Sequence, residues 1–301
     1  MEITTKSFSL GDKIFDVVNY IIMIVLAIIT LYPFLYVLAV SLNDPFDTIK
    51  GGIVLLPRVF TLDNYKEIFN YPLIGQATLI SILRTVIGTA TSVLSTAIVA
   101  YVLSRKDFFA RRSMTALFVI TMYVGGGLVP EFLLIRSLGL MNNFLVYILP
   151  GLINPFNLIV MKAFIEGIPI ELQESAMLDG ANDFVIFFKV VLPLCLPVLA
   201  TIALFVAVGH WNSWFDTYLY CGGNKNLTTL QYELQKILAN ATASSTTIDY
   251  YSTLDPTRTM KVTPQSLRMA MTIVTTLPII VVYPFLQKYF IKGMTLGAVK
   301  E

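Results

Sequence analysis

The chain has 301 residues, 56% hydrophobic and 13% charged, with a formal net charge of +2 and a mean hydropathy of +0.73. A soluble domain carries about 25% charged residues, so a soluble enzyme or binding module is excluded and the apolar surface is expected to lie mostly in lipid. No basic cluster with interleaved aromatics points to nucleic acid.

The N-terminal MEITTKSFSLGDKIFD lacks a compact apolar core followed by a small-residue cleavage site, so it is not read as a cleavable signal peptide. Six spans follow, each near the ~20 residues a bilayer requires. The first covers about 17–42, kinked or broken near Pro33 and preceded by a surface-lying entry helix at Ile14, Phe15, Val17 and Val18. The second covers about 78–104, where Gly88, Ser92, Ser95 and Thr96 form a small-residue face suited to close helix packing. The third covers about 112–138, with Gly125-Gly126-Gly127 near its centre, and the fourth about 143–165, interrupted by Asn154-Pro155. The fifth covers about 190–221 and the sixth about 266–291, the latter containing Pro278 and Pro284. Cys195 and Cys221 sit at opposite ends of the fifth, too far apart to bridge at about 1.5 Å per residue.

Orientation rests on the short link between spans two and three, where Arg105, Lys106, Arg111 and Arg112 crowd together. The positive-inside rule places that link in the cytoplasm. Both termini and the 166–189 loop then face the same side, and Lys288, Lys292 and Lys300 in the tail agree. Two long segments, about 43–77 and 222–265, are expected outside, and a helix is read around Thr229–Leu238 in the second. They are too long for simple turns. They either shield the spans or form a docking surface for an external partner.

The chain carries no phosphate-cradling G-x-x-x-x-G-K-[ST]. Its one histidine, His210, has no second His or Cys at metal-ligand spacing, and no Ser or Cys stands in a nucleophile context. Intramembrane charge is sparse, which argues against a proton-driven carrier. No cofactor or metal is expected on this chain, and its energy source is expected on another subunit.

The segment 166–189 is the long amphipathic stretch between two apolar ones. Pro169 can open a helix without losing a needed hydrogen bond, and Glu171 and Glu174 favour the helix dipole. Gly180 is placed for a left-handed cap. Asn182 can cap a second helix, with Asp183 in its first turn and Phe184, Phe187 and Phe188 on one face. An amphipathic connector lying on the bilayer surface is the plain alternative. Glu174-Ser175-Ala176, Gly180 four residues on, and Val190-Val191-Leu192-Pro193 after nine more resemble the EAA loop of ABC importer permeases. Ser175 stands where that pattern has Ala, and Val190 where it has Ile.

The resemblance extends over roughly residues 10–300. Ala100-Tyr101-Val102-Leu103-Ser104-Arg105-Lys106, Leu138-Gly139-Leu140-Met141-Asn142 and Trp211-Asn212 are similar to the maltose-type second permease. Tyr123 to Pro130, Gly209 to Asp216 and the tail Lys292 to Lys300 are similar to the alginate and aldouronate subset. The resemblance implies an all-α membrane protein with the six-helix ABC type I importer fold and a cytoplasmic coupling helix between spans four and five. It implies a second homologous permease, a pair of ATPase subunits that hold ATP and Mg, and an external solute-binding protein. It also implies location in the bacterial cytoplasmic membrane. Glu171, Leu172, Glu174, Ala176, Asp179 and Gly180 would form the ATPase contact. Sugar sites pair aromatic faces with amides, so Asn154, Asn157, His210, Trp211, Asn212 and Trp214 are expected along the substrate path. For the Trp pair the alternative is an aromatic belt, and for the Asn pair helix–helix bonding. The resemblance implies import of sugars, and the likeness to the alginate and aldouronate subset implies oligosaccharides; the rivals are a permease for glycerol phosphate or an amino acid, a membrane scaffold and an intramembrane enzyme.

Overall fold

A computed structural model describes residues 10–239 and 262–298. Among the described residues the chain is helical, its one β feature an isolated antiparallel bridge between Asn43 and Phe60. Two compact units form, one from Met1–Asn70 with Ile237–Val274, the other from Tyr71–Lys236 with Thr275–Glu301. The helices in chain order are α1 Leu10–Ser41, α2 Pro45–Ile49, α3 Asp63–Asn70, α4 Ile74–Ser104, α5 Arg111–Tyr123, α6 Leu128–Ser137 and α7 Pro155–Glu166. They continue with α8 Ile170–Leu178, α9 Asp183–Ile186, α10 Leu192–Leu194, α11 Leu196–Asn212, α12 Phe215–Cys221, α13 over 230–239 and α14 Pro264–Ala298. Residues 240–261 of the 222–265 loop, Lys300, and the side chains of Lys288 and Lys292 lie outside what is described.

In the first unit α1 is one helix that includes Ile14 to Val18 and continues through Pro33, rather than an entry helix followed by a broken span. Proline removes one hydrogen bond, and the other turns of this helix hold it together. The segment after it is built around Asn43, whose side chain is fully buried. Its Oδ1 accepts from the Arg58 and Val59 amides at 2.7 and 3.0 Å, and its Nδ2 donates to Asp47 Oδ2 and Thr48 Oγ1, each at 3.1 Å. Asp44 caps α2 through the amides of Phe46 and Asp47. Asn64 on α3 ties back to the carbonyls of Ser41 and Asn43 at 2.9 and 3.0 Å. These bonds satisfy backbone groups that a loop would otherwise leave open.

In the second unit α4 packs against α7 and α11. Ala97, Ala100, Tyr101 and Leu103 meet Leu158, Met161 and Ile165 of α7 and Val198 and Ile202 of α11. Gly88, Ser92 and Thr96, four residues apart, are buried on one line of α4. Gly88 lets a histidine in: a Cβ there would stand 2.7 Å from His210 Cε1 and 2.8 Å from Cδ2. Gly88→Ala gains about 0.5–1 kcal/mol of helix propensity but overpacks this site, at about 1–3 kcal/mol. The expected result is a lower melting temperature in detergent with His210 present and a higher one in a His210→Ala background. Melting points that fall equally in both backgrounds would show that the ring is not what Gly88 accommodates.

Among the described residues three helices are long and apolar enough to cross a membrane, and counting two bent pairs as spans brings the number to five. The expected continuous span 112–138 is α5 and α6, bent by 120° at the three glycines, where Gly127 has φ +86°. The expected fourth span is a short 3-10 turn at Phe144–Tyr147 followed by α7. At about 18 Å for 12 residues, α7 alone is shorter than the ~30 Å hydrocarbon layer. The start of the fifth bends by 80° between Leu194 and Leu196. Pro193 and Pro197 lack the amides that would bond four residues back, and a π-helical turn at Phe187–Val191 loosens the preceding turn.

Candidate functional site

Two places in the second unit collect the polar side chains that sequence reading singled out. The first is the loop containing α8 and α9. Glu171 lies in the first turn of α8 and Asp179 is its C-cap residue. Gly180 has φ +82°, and the Ala181 amide bonds back to the Ala176 carbonyl at 3.0 Å, a closure that favours glycine. Asn182 then caps α9, accepting from the Val185 amide at 2.9 Å. Ala176 and Ala181 lean on the core, while Glu171, Leu172, Glu174, Asp179 and Gly180 are exposed. Leu178 is 90% and Phe184 73% exposed, so bare apolar side chains stand beside carboxylates. Phe187 is buried whereas Phe184 and Phe188 are not. Phe188 contacts both of the others, its ring centre 5.0 Å from that of Phe184 and 4.8 Å from that of Phe187, so the three rings form one cluster with Phe187 on its core side and Phe184 on its outer side.

Ion pairs anchor this loop at its base. Arg105 reaches Asp183 at 3.5 Å and Asp107 at 3.1 Å. The Arg105 hydrogen bond holds the Asp107 carboxyl below the usual carboxylate range. Glu166 pairs with Lys162 at 2.8 Å and with Arg111. Burial alone would push Glu166 up, but the two cations outweigh it and hold its carboxyl down. Arg111 also donates to the Leu103 carbonyl at 3.1 Å, joining the link after α4 to the end of α7.

The second place is a cavity of about 610 Å³ between α4, α6, α7, α11 and α12. Asn154, Asn157 and His210 line it. Asn154 caps α7, its Oδ1 accepting from the Asn157 amide at 3.2 Å. Asn157 is 7% exposed, and its side-chain amide has no hydrogen-bond partner among the described residues. The other three expected path residues are elsewhere. Trp211 is buried and donates from Nε1 to the Thr275 carbonyl at 2.8 Å. It lines a separate apolar groove with Ile82, Val208 and Pro278. Asn212 is exposed at the end of α11, and Trp214 packs edge-on to Phe215 with ring centres 5.7 Å apart.

Sequence reading missed the charges of this cavity. Arg84 of α4, 2% exposed, donates to Asp216 Oδ1 at 3.2 Å and pairs through its second nitrogen with Oδ2. It also donates to the Ser213 carbonyl at 3.3 Å and lies 4.4 Å over the Tyr147 ring. One side chain thus holds the break between α11 and α12. Glu131, in the first turn of α6, lines the same space with the Tyr220 hydroxyl at 3.5 Å. The available signal was a lone arginine in an apolar span, which by itself marks a functional position.

Residues 3–296 match the family described as binding-protein-dependent transport system inner membrane component. The chain is 39% identical over 289 residues to the polygalacturonan/rhamnogalacturonan transport system permease protein YtcP of Bacillus subtilis, covering 96% of this chain and 99% of that one. It is 28% identical to the arabinooligosaccharides transport system permease protein AraQ of Halalkalibacterium halodurans, covering 91% and 93%. Among solved structures, a chain of a bacterial ABC transporter involved in the import of the acidic polysaccharide alginate superposes with a TM-score of 0.83 and 30% identity, over 95% of this chain and all of that one.

Proposed function

The chain belongs to the family of binding-protein-dependent transport system inner membrane components, and from that premise we propose that it is the permease subunit of an ATP-driven importer of oligosaccharides. The observation that carries this reading is 39% identity along 96% of the chain to a sugar-polymer permease. Relatives named for glycosidic substrates favour sugars over glycerol phosphate or an amino acid. The chain crosses the membrane six times, with both termini and the α8–α9 loop in the cytoplasm. It forms half of a translocation path with a second permease, and a solute-binding protein delivers sugar from outside.

The α8–α9 loop docks into a pair of ATPase subunits that hold ATP and Mg. Leu172 and the exposed Leu178 and Phe184 supply apolar contact. Glu171, Glu174 and Asp179 supply charge for basic groups on the ATPase. Ala176 seats α8 on the core, and Gly180 sets the turn. ATPase closure pushes this loop, and the ion pairs of Arg105 and Arg111 pass the movement to α4 and α7, a hinge-type transition. The path runs through the cavity lined by Asn154, Asn157 and His210, where amides can bond sugar hydroxyls. Trp211 acts in packing, through Thr275.

The test is to solubilise membranes and pull the chain down. A second permease and an ATPase should accompany it, and ATP hydrolysis should rise with sugar-loaded binding protein. Asn157→Ala is expected to lower that stimulation several-fold with assembly intact, since it removes an amide that bonds nothing else. Full stimulation in the variant would take Asn157 off the path.

A further inference from the structure

The relatives carry both acidic and neutral sugars by name, so kinship does not decide the charge of the cargo. The cavity charges do. Among its described lining residues Arg84 is the one arginine or lysine. Its charge is met by Asp216 at two contacts, and its planar face is covered by Tyr147. Arg84 is only 2% exposed, and its one nitrogen without a partner, Nε, is itself buried, so it presents no accessible edge to a carboxylate. Glu131 differs: it is exposed, and the Tyr220 hydroxyl at 3.5 Å is its one polar contact among the described residues. Arg84 and Asp216 cancel, so Glu131 leaves this wall with one negative charge.

Hydroxyl-binding groups line the same cavity. The Asn157 amide is unpartnered and nine-tenths buried, and the Ser92 Oγ is buried without a partner. A carboxylate accepts sugar hydroxyls strongly, and it repels another carboxylate brought close to it. We propose that this cavity selects uncharged oligosaccharides over uronate-bearing ones, with Glu131 as the specificity-determining side chain. The proposal rests on the transport reading above.

The experiment uses the purified complex of both permeases and the ATPases, without binding protein, so that the binding protein's own preference does not enter. The probes are matched trisaccharides: trigalacturonate and trimannuronate, each beside its uncharged methyl ester. Binding is read by titration calorimetry. Each ester is expected to bind at least tenfold tighter than its acid. Glu131→Gln should bring each pair within about threefold by strengthening the acid, and Glu131→Lys should reverse the order. Acids binding as well as esters to the wild type, or an unchanged ratio in Glu131→Gln, would overturn the proposal. If none of the four binds at millimolar concentration, the cavity is not a sugar site and the proposal falls. Sugar-stimulated ATP hydrolysis in the same preparation would still uphold the transport reading.

Discussion

Gly180→Val is expected to cut ATP-coupled sugar uptake by tenfold or more while membrane insertion and yield stay normal. Gly180 has φ +82°, and nothing lies within 4 Å of where its Cβ would be. The strain is therefore in the backbone, not in packing. A β-branched residue at positive φ costs about 1–2 kcal/mol, which the exposed turn can relieve by opening the Ala181–Ala176 bond. The α8–α9 angle then changes, and the loop no longer fits its cleft. Gly180→Asn, which tolerates left-handed backbone, should keep most of the uptake. Uptake in proteoliposomes and co-purification of the ATPase check both variants. A valine variant that transports at the wild-type rate would detach this turn from coupling.

The second large effect is expected at Arg84 and Asp216. Removing one partner of a buried pair leaves an uncompensated charge and costs about 3–5 kcal/mol. The two side chains are unequally exposed, 2% for Arg84 and 23% for Asp216. Asp216→Asn, which strands the deeper charge, should therefore destabilise more than Arg84→Met, which strands the wetter one. The double variant Arg84→Met/Asp216→Leu should lose less than the sum of the single losses. Melting of the solubilised complex gives the order. Equal losses that simply add would mean that the pair is not energetically coupled.

Local chemistry was readable in the sequence and tertiary chemistry was not. Gly180 and Asn182 each act through backbone groups within three or four residues, so their caps follow from spacing alone, whereas Asn154-Pro155 reads only as an interruption and the Asn154 cap of α7 comes from the structure. The helix expected around Thr229–Leu238 appears over 230–239. The Arg84–Asp216 pair joins residues 132 apart in sequence, and no local pattern announces it. Gly125-Gly126-Gly127 was read as the middle of a span because composition there is apolar throughout. Hydropathy does not register that three residues without side chains permit a 120° reversal. Trp211 sits beside His210 in sequence, yet their side chains serve different spaces, since neighbours on a helix point about 100° apart.

The stretch Lys13–Ser41 of α1 has none of its most apolar window buried within the chain. A helix satisfies its own backbone in hydrocarbon, so α1 needs no neighbour in order to form. In biosynthetic terms it is an autonomous insertion unit. It can leave the translocation machinery and equilibrate with lipid while the rest of the chain is still being made. Its thermodynamic partner at that stage is the solvent itself, and the order of events is partitioning first and association second.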